Sequence, residues 1–158
     1  MQEANQTYSP NKSSTNINDT VTYNYTFDQN LGSPLSLFAC APVDTTKVDF
    51  VDGSGTNGAV ALPMSCADAA AALANHRSLS SLSAKAPSAV MAVGWTGGNI
   101  GTATGNLSFG FKVKVKALIG NLASEVRLYD QGEYWTTLNA ANVTIVPAFK
   151  VFLPTLIR

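Results

Sequence analysis

The most regular alternation of apolar and polar positions along the chain lies in residues 107–116, which read LSFGFKVKVK. The odd positions from Leu107 to Val115 are apolar, and the even positions are small or charged. A period of two places successive side chains on opposite faces of a β-strand. We therefore predict a strand here, with one face in the core and the other in solvent.

A second alternating stretch, residues 20–27, reads TVTYNYTF. Its aromatic and β-branched residues favour the pleated surface of a strand. Because it follows a polar N-terminal segment, it could pair within its own domain or be donated to a neighbouring subunit. The residues that we assign to an assembly role in this strand are Thr20, Val21, Tyr23, Tyr25 and Phe27.

Shorter apolar runs predict the remaining strands. They lie at residues 35–40, 46–51, 59–62, 88–95, 125–129, 134–138, 142–146 and 149–153. Residues 28–34 predict a turn, and the Gly-rich loop 52–58 predicts a hairpin between its flanking strands. The glycines of residues 96–105 predict a long exposed loop, and Gly132 predicts the turn of a C-terminal hairpin.

One helix is expected, at residues 65–76, which read SCADAAAALANH. Ser65 is a favourable N-cap, and Asp68 stands three residues later, as in a capping box. Since the apolar face consists mainly of alanine, we expect the helix to lie close against a sheet.

These elements predict an all-β fold: a single β-sandwich or jelly-roll-like barrel of about eight strands, with one short Ala-rich helix. We expect an extended N-terminal arm at residues 1–19 and a β-sandwich domain at residues 20–158. The arm is almost devoid of core residues, and ordering it costs about 1–2 kcal/mol per residue. An ordered arm must therefore lie on its own domain, a neighbouring subunit or a larger lattice.

The composition points away from nucleic acid and from membranes. Charged residues make up 13% of the chain, whereas a charged fraction of about 25% is usual. The formal net charge is zero. No basic patch supports binding to nucleic acid, and no apolar run is long enough to span a membrane. Met1 is followed by Gln2 rather than by a signal peptide, so we expect synthesis without an export signal.

Catalytic and cofactor chemistry find little support in the sequence. The single histidine, His76, follows the predicted helix, and no nucleophile motif accompanies it. We expect a protein that is not an enzyme and has no cofactor. The weak calcium candidates, which surround a Gly-rich loop, are Asp44, Asp49, Asp52 and Asn57. Cys40 and Cys66 could form a disulfide or remain buried thiols.

Three further groups of residues suggest possible surface roles. Lys112, Lys114 and Lys116 form the densest cluster of like charge, which is either a solvated strand face or a docking face for an acidic neighbour. Trp95, Trp135, Tyr129 and Tyr134 could stack on a sugar. Asn-x-Ser/Thr sequons, which carry glycans only in a secreted protein, begin at Asn5, Asn11, Asn18, Asn24, Asn106 and Asn142.

The ordered arm, the neutral surface and the lack of a catalytic motif favour a structural subunit that assembles with copies of itself and with other proteins of one particle. Our main hypothesis is a virion protein, such as a phage capsid decoration, cement or minor capsid protein. One alternative is a secreted pilus-like or filament subunit that polymerises by N-terminal strand donation and is therefore extracellular. The other is a carbohydrate-binding β-sandwich module.

Overall fold

The computed structural model describes residues 6–28, 35–100 and 106–147. Within these ranges the chain forms twelve strands, one α-helix (α1, Cys66–Ala74) and two short 3-10 helices (Leu79–Leu82 and Pro87–Ala89). The strands are β1 (Gln6–Pro10), β2 (Ser14–Thr15), β3 (Thr20–Asp28), β4 (Leu35–Pro42), β5 (Val48–Phe50), β6 (Val60–Leu62), β7 (Ala92–Ile100), β8 (Asn106–Val115), β9 (Gly120–Leu122), β10 (Glu125–Asp130), β11 (Glu133–Asn139) and β12 (Val143–Ile145).

The strands form three sheets. Sheet I has the order β1-β3-β8-β5, sheet II the order β11-β10-β4-β7-β6, and the small sheet III the order β2-β12-β9. Sheets I and II face each other across one hydrophobic core, to which sheet III contributes Leu122, Val143 and Ile145. The predicted all-β sandwich with one short helix is confirmed. The sheets do not close into a barrel, and no helix among the described residues is long and apolar enough to cross a bilayer.

Strand β8 lies at the centre of sheet I, as its alternation predicts. It pairs with β3 over nine residue pairs, from Thr20–Lys114 to Asp28–Asn106. The odd positions of β8 from Phe109 to Val115 are buried, and Leu107 is half-buried. The Phe109 ring stacks on Trp95 of sheet II with 5.3 Å between ring centroids. The aromatic residues of β8 therefore join the two sheets.

The N-terminal segment folds back on its own domain. Within the predicted arm, β1 pairs antiparallel with β3, and β2 pairs parallel with β12. Tyr8 anchors β1, because its ring is 5% exposed and stacks on Tyr23 at 5.5 Å. The Tyr8 hydroxyl also lies 2.7 Å from the Ser124 hydroxyl. Of the three surfaces considered for the arm, residues 6–15 thus use their own domain.

The predicted hairpin around residues 52–58 is wrong. Strand β5 pairs with β8 in sheet I, whereas β6 pairs with β7 in sheet II, so the loop crosses between sheets. The loop covers the edge of β8 with side chains. The Ser54 hydroxyl accepts from the Lys112 N–H at 3.0 Å, and the Thr56 hydroxyl accepts from the Gly110 N–H at 2.8 Å. The Val51 and Thr56 N–H groups also donate to the Lys112 and Gly110 carbonyls, so the loop occupies the β8 edge beyond β5 where a hairpin partner would lie.

The predicted loop at residues 96–105 is wrong over its first half, because β7 continues to Ile100. β7 pairs with β4 from Pro42–Ala92 to Leu35–Ile100, with a register shift where residues 97 and 98 have no paired partner. An extra residue in one strand is the geometry of a β-bulge, for which glycine is well suited. The glycines therefore serve a bulge. Residues 101–105 lie outside the described ranges, as do the predicted turn residues 29–34 and the predicted strand 149–153.

The helix and the C-terminal hairpin are confirmed. Ser65 caps α1, its hydroxyl accepting from the Asp68 N–H at 3.1 Å. The buried face of α1 consists of Cys66, Ala69 and Ala70, and it packs on the outer side of sheet II. Strands β10 and β11 form the predicted hairpin, which ends in a two-residue turn at Gln131–Gly132.

Candidate functional surfaces

A disulfide joins Cys40 in the middle of β4 to Cys66, the first residue of α1, with an S–S distance of 2.12 Å. Both cysteines are almost fully buried, with exposures of 0% and 3%. They belong to a second hydrophobic cluster, which also contains Phe38, Leu62 and Tyr129 and lies between sheet II and the helix. The bond therefore ties the helical layer to the sandwich.

The residues predicted for strand donation lie in the core of their own chain. Val21, Tyr23, Tyr25 and Phe27 are at most 3% exposed, and only Thr20 at the strand end faces solvent. Strand β3 pairs with β1 on one side and β8 on the other. Donating β3 to a neighbour would remove a central strand of sheet I, and the assembly role of these residues stays a prediction.

Burial raises the pKa values of the core tyrosines. Desolvation raises the pKa of Tyr23 to about 12 and raises the pKa values of Tyr8 and Tyr25 still further. The Tyr25 hydroxyl donates to Gln6 Oε1 at 2.6 Å. These shifts come from packing in the sandwich core.

Lys112 and Lys114 of β8, and Lys116 directly after the strand, are exposed to solvent on the outer side of sheet I. Lys116 Nζ lies 3.1 Å from Asp49 Oδ1, an exposed pair of little energetic weight. Lys112 and Lys114 are paired in register with Thr22 and Thr20 of β3. This lysine face (Lys112, Lys114 and Lys116) is thus accessible to a partner, whereas the outer face of sheet II is covered by α1.

The calcium candidates do not converge. Asp44 accepts from the Thr46 hydroxyl at 2.6 Å and from its N–H at 3.0 Å, and the hydroxyl bond is the main cause that lowers the pKa of Asp44. Asp49 forms a salt bridge with Lys116, and Asp52 lies exposed in the loop. The Asn57 side-chain amide donates to the Ser108 carbonyl at 2.8 Å. In the described parts of the chain, no three acidic, histidine or cysteine side chains form a metal-binding group.

The four aromatic residues considered for sugar stacking do not share a surface. Trp95 is 3% exposed, and its indole N–H donates to the Asn57 carbonyl at 3.0 Å. Tyr129 is 5% exposed and belongs to the cluster under the helix. Trp135 is half-buried, and only Tyr134 is largely exposed. The structure therefore gives no support to the carbohydrate-binding alternative.

The sequon asparagines are mostly accessible. Asn11, Asn18, Asn24 and Asn142 are exposed. Asn106 begins β8, and Asn5 lies outside the described residues.

A cleft of about 670 Å³ opens at the C-terminal end of α1. We call it the α1 cleft, and the residues that define it include Phe38, Leu73, Arg77, Thr96 and Gln131. The sequence does not predict this cleft, because its walls come from the helix end, β4, β7 and the β10–β11 turn, which only the fold brings together. The available signal was the His76–Arg77 pair directly after the helix.

Comparison with known proteins defines the class of fold. No protein family model matches the chain, and no curated protein matches its sequence. A putative membrane anchored protein from Corynebacterium diphtheriae is 13% identical with a TM-score of 0.51, over 96% of this chain and 37% of that one. BcpA, the major pilin subunit of Bacillus cereus, is 8% identical with a TM-score of 0.48, over 92% and 41% of the two chains.

A collagen-binding domain from a Staphylococcus aureus adhesin is 7% identical with a TM-score of 0.46, over 90% of this chain and 96% of that domain. At these identities the likeness to the C. diphtheriae protein concerns the all-β fold alone. The chain spans 37% of the length of that protein and 41% of the length of BcpA.

Proposed function

We propose that the chain is a non-enzymatic structural module of an extracellular surface or filament protein. This is the secreted-filament alternative to the virion hypothesis, taken without N-terminal strand donation. The observation that carries this proposal is the Cys40–Cys66 disulfide. Disulfides persist in oxidising compartments and are rare in proteins that remain in the cytosol. A capsid decoration protein that folds and assembles in the cytosol would meet reducing conditions, so the bond favours the extracellular alternative.

The fold and the surface support the same proposal. The sandwich resembles a protein described as membrane anchored, and its accessible sequons would be available for glycosylation in a secreted protein. A surface with few charges suits a protein that packs against neighbours.

The distribution of pKa shifts supports a role without catalysis. Strongly shifted pKa values cluster at active sites. Among the described residues the clear shifts belong to three core tyrosines, to Asp44 in its turn and to Arg127 beside Glu125. Packing and local hydrogen bonds account for each of them.

Localisation in the cells that make the protein tests this proposal. Antibodies against the folded domain should label the surface of intact cells. Free thiols should be blocked by alkylation before lysis, and a non-reduced digest should then contain the Cys40–Cys66 cross-link. Recovery in the soluble cell interior with both cysteines alkylated would contradict the proposal, and co-purification with virus particles would favour the virion hypothesis instead.

We further propose that the partners include copies of the same chain and that the lysine face contributes to this contact. A β-sheet face that no helix covers is available for docking, and three lysines would attract an acidic neighbour. Replacing all three by serine should leave the urea midpoint nearly unchanged and lower the mass of the assembly in light scattering. The matched control is Lys12→Ser with Lys85→Ser, and equal assembly of both variants would indicate a merely solvated face.

A further inference from the structure

The α1 cleft has an apolar floor and a polar rim. Phe38 and Leu79 on its floor are 4% and 9% exposed and Leu73 is half-buried, whereas Thr96 and Gln131 on its rim are exposed. Small-molecule sites are typically clefts of about 300–1,000 Å³ with mainly apolar walls and a few polar groups that fix orientation. At about 670 Å³, the cleft has the size and the polarity of such a site.

The rim carries positive charge, and the Asp130 carboxylate beside it accepts from the Ser36 N–H at 3.2 Å. Among the described residues that line the cleft, Arg77 and His76 are the only ionisable ones. In the described ranges Arg77 forms no salt bridge, unlike Arg127, whose Nε lies 2.7 Å from Glu125 Oε2. A guanidinium group can bind a carboxylate through two parallel hydrogen bonds. A cation at a helix C-terminus also favours the helix dipole, so stability and binding must be measured separately.

Two rim residues occupy backbone conformations that glycine adopts more readily. His76 has φ 65° and Gln131 has φ 55°. His76 follows the C-cap of α1 in a Schellman motif, in which its N–H donates to the Leu73 carbonyl and the Arg77 N–H donates to the Ala72 carbonyl. Glycine is the usual residue at the position after the C-cap, which His76 holds. Asparagine, aspartate or glycine usually occupies the first position of a two-residue hairpin turn, which Gln131 holds. The side chains of His76 and Gln131 therefore place polar groups at one cleft, although the positive φ of each residue costs conformational free energy.

The walls of the cleft are held by close contacts. A Cβ on Gly132 would lie 2.7 Å from Ala74 Cβ, so the β10–β11 turn presses directly on the end of α1. The Gln131 N–H donates to the Ser36 carbonyl at 3.1 Å, and the Ser36 N–H donates to Asp130 Oδ1 at 3.2 Å. A site whose walls are already fixed loses less entropy when a ligand binds.

We propose that the α1 cleft binds a carboxylate joined to an apolar group, as found at the C-terminus of a peptide that ends in an aliphatic residue. Arg77 holds the carboxylate, the polar side chains of His76 and Gln131 flank it, and the apolar group lies on Phe38, Leu73 and Leu79. The chemistry of the cleft is the same whether or not the chain belongs to a surface or filament protein.

Titration with matched ligands tests the carboxylate. The probes are acetyl-Ala-Ala-Leu with a free carboxylate, the same peptide as its C-terminal amide, and hexanoate, each followed by the amide resonances of the isotopically labelled protein. We expect the free acid to shift the resonances of Ser36, Arg77 and Gln131 and the amide to bind at least about tenfold more weakly. Equal shifts with hexanoate would identify a small acid, and shifts with the peptide acid alone would identify a chain terminus.

Substitution of Arg77 tests the proposed contact. Arg77→Gln should weaken binding of the peptide acid by about 10- to 100-fold, and Arg77→Lys should retain part of the affinity. The matched control is Arg127→Gln, which removes an exposed arginine outside the cleft and should leave the affinity unchanged. Affinity that is insensitive to Arg77→Gln, equal binding of acid and amide, or no binding of any probe at about 10 mM would each overturn the proposal.

The two left-handed positions give a readout that a purely structural role would not produce. His76→Gly and Gln131→Gly should leave the urea midpoint unchanged or raise it, because glycine relieves the backbone cost. Both variants should bind the peptide acid several-fold more weakly. If both retain full affinity, their side chains do not serve the cleft and the proposed contact set is refuted.

Discussion

Loss of the Cys40–Cys66 disulfide should destabilise the domain by an amount set mainly by the loop that it closes. The cysteines are 26 residues apart in sequence. In the chain-entropy model a loop of this length corresponds to about 3.5 kcal/mol at 25 °C. For a domain of this size, such a loss lowers Tm by about 10 °C.

Equilibrium unfolding in urea measures this difference. The oxidised protein is first identified by an intact mass that is two hydrogens lower than that of the reduced protein. Oxidised and reduced forms are then unfolded under identical conditions, with and without dithiothreitol. This pair contains the same side chains, so the comparison isolates the covalent bond.

The variant Cys40→Ala/Cys66→Ala adds a second effect, because it also removes two buried sulfur atoms. Because packing is lost, we expect the free energy of unfolding of this variant to lie about 1–2 kcal/mol below that of the reduced wild type. A difference below about 1 kcal/mol between the oxidised and reduced wild type would refute the loop-entropy estimate. A variant as stable as the oxidised protein would refute the view that the cross-link holds the helix on the sheet.

Three further predictions concern the core, a turn and pH. Phe109→Ala should cost about 3–5 kcal/mol in urea unfolding, whereas Leu118→Ala at an exposed position should change it by about 0.5 kcal/mol or less; comparable costs would contradict the central place of β8. Gly132→Ala should cost about 1–3 kcal/mol more than Gly53→Ala, since both glycines have positive φ but only the first would contact Ala74; equal unfolding midpoints would argue against that contact. The free energy of unfolding should fall as pH rises from 10 towards 12, because the unfolded tyrosine loses its proton near pH 10 while burial raises the pKa of Tyr23 to about 12; Tyr23→Phe should flatten the decline, and an unchanged slope would count against it.

The parts of the fold that sequence reasoning predicted are those in which local pattern and burial coincide. β8 and β3 alternate strictly, and each has one face in the core and one in solvent. The helix follows from Ser65, Asp68 and the alanine run, which all favour the same element. In these segments no distant contact was needed to specify the structure.

The errors lie where a distant partner decides the structure. Strand β1 contains only one large apolar residue, Tyr8, and it forms because β3 offers an edge and an aromatic ring to stack on. Residues 97 and 98 read as a loop because glycine is frequent in loops, yet β4 pairs on either side of them. The loop after β5 leads to the other sheet because Ser54 and Thr56 bond to β8. Local propensity contains none of this information.

The candidate sites were predictable only in part. Spacing left Cys40 and Cys66 equally open to pairing or to burial as thiols, because nothing in the sequence places β4 beside the start of α1. The lysine face follows directly from the alternation of β8. The α1 cleft could not be anticipated, since Thr96 and Gln131 reach it from strands and turns that are remote from Arg77 in sequence.

The loop that crosses from β5 to β6 has a consequence for solubility. Where β8 runs beyond β5, its N–H and C=O groups would form an open edge on which strands of other chains could be templated. The Ser54 and Thr56 hydroxyls accept from the Lys112 and Gly110 N–H groups, and the Val51 and Thr56 N–H groups donate to the carbonyls of the same two residues, so the loop occupies this edge without extending the sheet. Ser54→Ala with Thr56→Val would leave the Lys112 and Gly110 N–H groups of that edge without these partners, and the expected outcome is time-dependent fibril formation under conditions in which the unaltered protein remains clear.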